Sequence, residues 1–423
     1  MREYLPRIYD PVLKRRLRAK GAVLIEGAKW CGKTTTASQI AQSSVYMQDP
    51  KTKTQNLRLA EIAPLELLAG ETPRLIDEWQ LAPQLWDAVR FEVDQRDDFG
   101  QFILTGSAVP ADTDAISHTG TGRIARLRMR SMSLFESGDS TGAVSLGKLF
   151  EGEELPIASA DSSLEAIAFL LCRGGWPRAV GLEGEAALLQ ANDYLDGVAQ
   201  SDISRVDKKE RDPRIAYALL RSYARMSASQ GKATEILSDV NAQGVKAGES
   251  TVRDYLRALS QIFVIEELLA WSPNLRSKTA IRTAPTRHFS DPSIAAAALA
   301  LGPGDLVADL NTFGLLFESL CVRDLRIYAD ALGGDVYHYR DRSGLEADAV
   351  VHLRDGRYGL VEVKLGGDSL IEQGASNLVA LRDKINSEKM GAPSFLMILT
   401  ATGDYSYYRE DGVFVVPIRT LGV

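Results

Sequence analysis

The chain has 423 residues, enough for two or three domains with their own cores, with 45% hydrophobic and 25% charged residues and a net charge of −7. That balance excludes a disordered or fibrous chain. The longest apolar run, Ile294 to Leu301, is too short for a bilayer, so no membrane partner is expected. Three widely spaced cysteines (Cys31, Cys172, Cys321) and four histidines argue against disulfides or zinc and for reduced thiols in the cytoplasm.

Met1 to about Glu136 alternates strand-like apolar runs with helical stretches, as a parallel α/β sheet does. Met1 to Lys20 carries basic residues without an apolar core and is no signal peptide. The apolar run Ala22 to Ile25 leads into Gly27-Ala28-Lys29-Trp30-Cys31-Gly32-Lys33-Thr34. This is G-x-x-x-x-G-K-T between a predicted strand and a predicted helix from about Lys33 to Ala41, the context of a phosphate-binding loop. Glycines at both ends let the backbone N–H groups face one concavity, and the helix start adds its positive dipole end. The candidate nucleotide-binding residues are Gly27, Ala28, Lys29, Trp30, Cys31, Gly32, Lys33, Thr34 and Thr35. Lys33 would reach the β- and γ-phosphates of ATP, and the Thr34 hydroxyl would ligate Mg²⁺.

Pro73-Arg74-Leu75-Ile76-Asp77-Glu78 reads as a short strand ending in two acids. Asp77 would hold the Mg²⁺ shell and Glu78 would polarise the attacking water. Trp79 to Val93 is predicted as a helix, and Gln101 to Leu104 as a third strand running into Thr105-Gly106-Ser107. Thr105 and Ser107, at that strand end, are candidates to touch the γ-phosphate or its water. Arg123 to Arg130 holds four arginines and no acid, and Leu268 to Ser290 carries Arg276, Lys278, Arg282 and Arg287, again without acids. Such patches suit phosphate contacts, and DNA is the expected macromolecular partner.

Ser137 to Ser163 is rich in Gly, Ser and acids and reads as a linker or irregular insert, after an ATPase segment spanning about 1–150. Residues 151–304 are predominantly helical. Pro213 opens one helix, Lys232 to Val240 forms another, and Ser250-Thr251 caps a third. In the third, Val252, Tyr255, Leu256 and Leu259 share one face, with Arg253 and Arg257 on the other. With a strand at Ile281 to Phe289 this order fits a winged helix-turn-helix with both arginines facing a groove, or a plain helical bundle.

Residues 305–423 are predicted as a long helix from Thr312 to Ala331, then strands Val336 to Arg340, Ala347 to Leu353 and Tyr358 to Leu365. A helix from Ser369 to Ser387 and a strand from Pro393 to Leu399 complete the segment. This α-β-β-β-α-β order is that of a restriction-endonuclease-like domain. Glu318, Asp348, Glu362 and Lys364 fall where such a site needs them. Asp348 and Glu362 would hold a hard divalent cation while Lys364 orients the nucleophile. Glu362 and Lys364, two apart on a strand, face the same way. An amphipathic strand with alternating charges is the alternative reading.

With these motifs the chain resembles bacterial and archaeal AAA+ family ATPases with a C-terminal domain of unknown function related to PD-(D/E)XK nucleases. The resemblance rests on Gly27 to Thr34, Leu75 to Glu78, Leu104 to Ser107, Gly122-Arg123, Gly174-Gly175-Trp176-Pro177, and Asp348 with Glu362-Val363-Lys364. It implies a homo-oligomer, a ring among the forms open to it, in which Arg123 reaches the γ-phosphate of a neighbouring subunit. No proline precedes Asp348, where the nuclease pattern often has one. The resemblance implies an ATPase that binds or remodels DNA. An ATP-switched DNA-binding scaffold with an inactive nuclease domain, or an ATP-gated defence nuclease, are the alternatives.

Overall fold

The computed structural model describes residues 3–109, 119–153, 156–207, 209–273, 283–385 and 390–423. They form two compact units that interleave along the sequence. The first comprises Met1–Ser131, Gly197–Pro213 and Asp254–Val264, and the second comprises Met132–Asp196, Arg214–Arg253 and Ile265–Val423.

The first unit is built on a five-stranded sheet of β1 (Ala22–Glu26), β2 (Ser43–Tyr46), β3 (Arg74–Asp77), β4 (Phe102–Gly106) and β5 (Ile124–Arg128). All pairings are parallel and the order is β2-β3-β4-β1-β5. Ala22 to Ile25 is buried at every position, as a continuous apolar run in a sheet covered on both faces should be. One core side gathers Leu24, Ile76, Phe102 and Leu104 against Trp79, Leu85, Trp86 and Val89. The helix predicted from Trp79 to Val93 is in fact a 3₁₀ turn, Trp79–Leu81, followed by an α-helix, Leu85–Arg96. Pro83 lies between them and has no N–H to continue a helix. The Trp79 and Trp86 rings, 5.0 Å apart, tie the two pieces together. The helix after the phosphate loop, Lys33–Ser38, ends earlier than predicted because Gln39 and Ile40 turn back on Thr36 and Ala37.

In the second unit, β6 (Val144–Ser145) is followed by a helix, Leu146–Glu151, inside the stretch expected to be a linker. Two of its serines make backbone contacts with the chain end: Ser140 Oγ donates to Leu421 O and Ser145 Oγ to Val423 O. β6 pairs in parallel with β15 (Leu421–Gly422), so this stretch is anchored to the chain end. After helices Leu164–Arg173 and Gly184–Gly197 come Pro213–Arg225, Ala233–Ala242 and, as a third, Glu249–Gln261, which passes into the first unit at Asp254; the antiparallel pair β7 (Ile265–Leu268) and β8 (Thr286–Phe289) follows. On the third helix Val252, Tyr255 and Leu259 are buried, Leu256 is half-buried, and Arg253 and Arg257 are exposed. Arg276, Lys278, Arg282 and the expected strand start at Ile281 lie outside the described residues.

The larger sheet holds β9 (Gly334–Arg340), β10 (Glu346–Leu353), β11 (Tyr358–Lys364), β12 (Phe395–Thr400), β13 (Tyr407–Tyr408) and β14 (Val413–Pro417), in the order β13-β14-β12-β11-β10-β9. Helix Leu310–Leu332 precedes it. Helix Asp368–Lys384 packs Ala375, Leu378 and Leu381 on Val350, Leu360 and Ile398 of the sheet. β9 and β10 pair antiparallel with a register shift between Ala347 and Val350, the stretch that holds Asp348.

Candidate functional site

The phosphate loop follows the C-terminal end of β1. Gly27 has φ +156°, and a Cβ there would lie 2.0 Å from Met129 O, so only glycine lets the chain past this carbonyl. Ala28, Cys31 and Lys33 are buried, whereas Trp30 and Thr35 are exposed. Lys33 Nζ donates to Gly27 O at 2.9 Å and Ala28 O at 2.7 Å, curled back into its own loop. Lys29 is held away from these atoms by Asp202, 2.5 Å from its ammonium, on a π-helical turn, Val198–Asp202.

The strand order brings the acids to this loop. β4 lies between β1 and β3, with Ile25 and Asp77 both in register with Thr105. Asp77 Oδ1 therefore accepts from two hydroxyls, Thr34 Oγ1 at 2.6 Å and Thr105 Oγ1 at 2.7 Å. Glu78 stands in the left-handed region, φ 56° and ψ 47°, and its N–H donates to Thr105 Oγ1 at 3.3 Å. Its Oε2 accepts from Ser107 Oγ at 2.9 Å and from Gln80 Nε2. Thr34, Asp77, Glu78, Thr105 and Ser107 thus converge with Lys33 at one end of the sheet.

Arg123 does not join them. Its carbonyl accepts from Ala22 N at the start of β1, the sheet end opposite the phosphate loop. Its guanidinium donates to Asp94 Oδ1 at 2.8 Å and is about half exposed. Sequence reasoning also missed Arg7 and Gln80. Arg7 is buried, donating to Cys31 O at 2.7 Å and Arg130 O at 2.9 Å, so it pins the loop from the N-terminal side. An arginine separated from the phosphate loop by a helix and a strand carries no local signal of that contact. Gln80, two residues past a Walker acid, was visible as a second polar group on the same turn.

A second cluster sits in the larger sheet. Lys364 Nζ lies 2.6 Å from Glu362 Oε2 and 3.8 Å from Asp348 Oδ2, and Asp348 Oδ2 accepts from Val363 N at 2.7 Å. Burial, then the charge of Asp348, pushes Glu362 up to about 8. Burial and Asp348 raise Glu318 well above the usual carboxylate range, and burial raises Asp348. Burial lowers the Lys364 ammonium, but Asp348 and Glu362 outweigh it and the net shift is upward. Glu362 Oε1 is buried and receives no hydrogen bond among the described residues. Within those residues no group of three or more His, Cys, Asp or Glu is gathered closely enough to hold a metal ion.

The Gly174-Gly175-Trp176-Pro177 stretch is structural. A Cβ on Gly175 would lie 2.0 Å from Met132 O, and Gly175 N donates to Asp291 Oδ2. Trp176 Nε1 donates to Ser293 Oγ, and Arg323 bridges Asp291 and Asp324 beside it, all buried. Arg287, expected in a phosphate-contacting patch, donates to Gly231 O and Glu267, and Arg253, expected to face a groove if the helices form a winged helix-turn-helix, is exposed and pairs with Glu249.

Residues 19–137 match the AAA domain family. Residues 164–305 match a domain of unknown function, DUF8612, and residues 313–421 another, DUF4143. Similar proteins include the uncharacterized proteins Mb2031c of Mycobacterium bovis and Rv2008c of Mycobacterium tuberculosis. Each is 22% identical over 375 residues, covering 88% of this chain and 76% of the relative. A solved structure, the Walker-type ATPase PABY2304 of Pyrococcus abyssi, aligns with a TM-score of 0.40 and 15% identity over 68% of this chain and 94% of that one. Among the described residues no helix is long and apolar enough to cross a membrane. The segment that carries the phosphate loop, Asp77 and Glu78 is an AAA-type P-loop ATPase domain.

Proposed function

We propose that the chain hydrolyses ATP with Mg²⁺ at the P-loop, with Glu78 as the group that polarises water. The observation that carries this is the shared Asp77 oxygen, taken by both Thr34 and Thr105. The donor set is all oxygen, which suits Mg²⁺. Bound Mg²⁺ would be held by Thr34 and Asp77 and would neutralise phosphate charge. Lys33 releases Gly27 O and Ala28 O to meet the phosphates, Thr105 holds Asp77 in place, and Glu78 accepts a proton from water.

The experiment is ATP binding and turnover in two variants. Lys33→Ala abolishes binding, because a ground-state charge partner is gone. Glu78→Gln keeps binding and stops turnover, because only the water loses its partner. Turnover at the parental rate in Glu78→Gln would overturn the assignment.

A finer reading has the ATPase act as a homo-oligomer on DNA. The place of Arg123, at the far end of the sheet from its own phosphate loop, supports a role at a neighbour's site. The meeting of Asp348, Glu362 and Lys364 supports a nuclease-like cluster that contacts phosphates. Glu362 Oε1, buried with no hydrogen-bond partner among the described residues, and the repulsion between Glu362 and Asp348 support a divalent cation there.

A further inference from the structure

We propose that Gln80 is a positioning residue for Glu78, one of two donors that hold a single oxygen of its carboxylate and leave the other for water. The inference rests on the hydrolysis reading above. The chain makes a sharp turn after Asp77: Glu78 is left-handed, and Trp79–Leu81 closes a 3₁₀ turn. A non-glycine residue in that conformation is uncommon and is kept where the surroundings enforce it. Buried Trp79 does so by packing on Trp86. The turn brings the Glu78 and Gln80 side chains together at the end of β4.

Gln80 Nε2 donates to Glu78 Oε2, and Ser107 Oγ donates to the same atom at 2.9 Å. Gln80 Nε2 also lies 3.5 Å from Ser107 Oγ. Among the described residues no hydrogen bond reaches Glu78 Oε1. A carboxylate fixed by one oxygen presents the other in a defined direction, which a proton acceptor for water requires. The amide of Gln80 can face only one way. Turned over, its own oxygen would meet the Glu78 carboxylate. As placed, Gln80 Oε1 is buried with no hydrogen-bond partner among the described residues, against Gly106, where a Cβ would come within 3.1 Å of it. A buried amide that leaves its own carbonyl unsatisfied is retained for what its N–H groups do.

The test uses the full chain and compares kcat with the dissociation constant for a fluorescent ATP analogue. Gln80→Ala lowers kcat about ten- to a hundredfold, the usual cost of one hydrogen bond to a charged group, with nucleotide affinity unchanged within about twofold. Gln80→Glu keeps the shape but sets an acceptor against an acceptor, so it loses at least as much. Ser107→Ala loses a similar factor, and the double variant with Gln80→Ala loses less than the product of the two, since both act through one oxygen. Gln80→Glu turning over at the parental rate would reduce Gln80 to a packing residue, and so would a kcat loss matched by lost affinity. Glu78→Gln is the control. If it turns over normally, or the parental chain does not hydrolyse ATP, the hydrolysis reading falls and this inference with it. If Glu78→Gln is inactive while both Gln80 variants are normal, only the positioning role is refuted.

Discussion

His288 should make the second unit acid-labile by an amount that can be worked out. It lies on β8 at 1% exposure, with Nε2 3.0 Å from Thr286 Oγ1 and Nδ1 3.0 Å from Ser319 Oγ. A neutral imidazole, one nitrogen donating and one accepting, suits two hydroxyls. Burial, helped by Arg326, pushes it down from 6.5 to about 3. On unfolding, the imidazole regains its ordinary affinity for protons. The contribution to stability is thus fully present above pH 6.5 and is lost as pH falls from there toward about 3. At about 1.4 kcal/mol per pH unit, the loss by pH 5 is about 2 kcal/mol. His288→Gln keeps a donor and an acceptor but cannot ionise, so its stability difference between pH 7 and pH 5 should be about 2 kcal/mol smaller than the parent's. Urea titrations followed by tryptophan fluorescence at the two pH values measure this double difference. Equal pH sensitivity in parent and variant would refute a neutral buried imidazole.

Arg123→Ala and Lys33→Ala chains, each inactive alone, should recover ATPase activity when mixed, since intact sites then form at some interfaces; a finger of this kind is worth about 10³–10⁵ in rate. No recovery despite demonstrated co-assembly would count against a finger in trans. In the full chain with Thr34→Ala and Asp77→Ala silencing the P-loop, Mn²⁺ should still bind and release a proton near pH 7, because Glu362, held up at about 8, must lose its proton to the buffer for its carboxylate to ligate the metal. Calorimetry in two buffers of different ionisation enthalpy reads both effects. Unchanged binding after adding Asp348→Ala and Glu362→Ala would remove the cluster as a cation site.

The sequence made the elements that bear strong local signals legible. The apolar run before Gly27 and the glycine spacing are local requirements, so the strand, loop and helix start lie where the pattern puts them. The three strands at 334–340, 346–353 and 358–364 were readable for the same reason, through β-rich runs separated by a Gly-containing turn. What was not legible depends on chain segments that meet only in three dimensions. The short strand of Val144 and Ser145 has no pattern of its own and exists because Leu421 and Gly422 pair with it. The break at Pro83 was written in the sequence and overridden by an apolar periodicity that runs across it. Lys29 gave no hint of Asp202, far along the chain, and the Gly175 requirement was visible as a motif but not as the close carbonyl of Met132 that imposes it.

The interleaving of the two units has a practical and a mechanical consequence. Between Ser131 and Met132, Asp196 and Gly197, Pro213 and Arg214, Arg253 and Asp254, and Val264 and Ile265, the backbone passes from one unit to the other. Truncation after the P-loop sheet would strip away 197–213, and with it the Asp202 carboxylate that restrains Lys29. A protease that nicks one of these junctions leaves the others to hold the pieces together, so a cut chain should still migrate as one particle until it is denatured. Lys29 of the phosphate loop is thus ion-paired with a residue of the short segment Gly197–Pro213, both ends of which lead into the other unit.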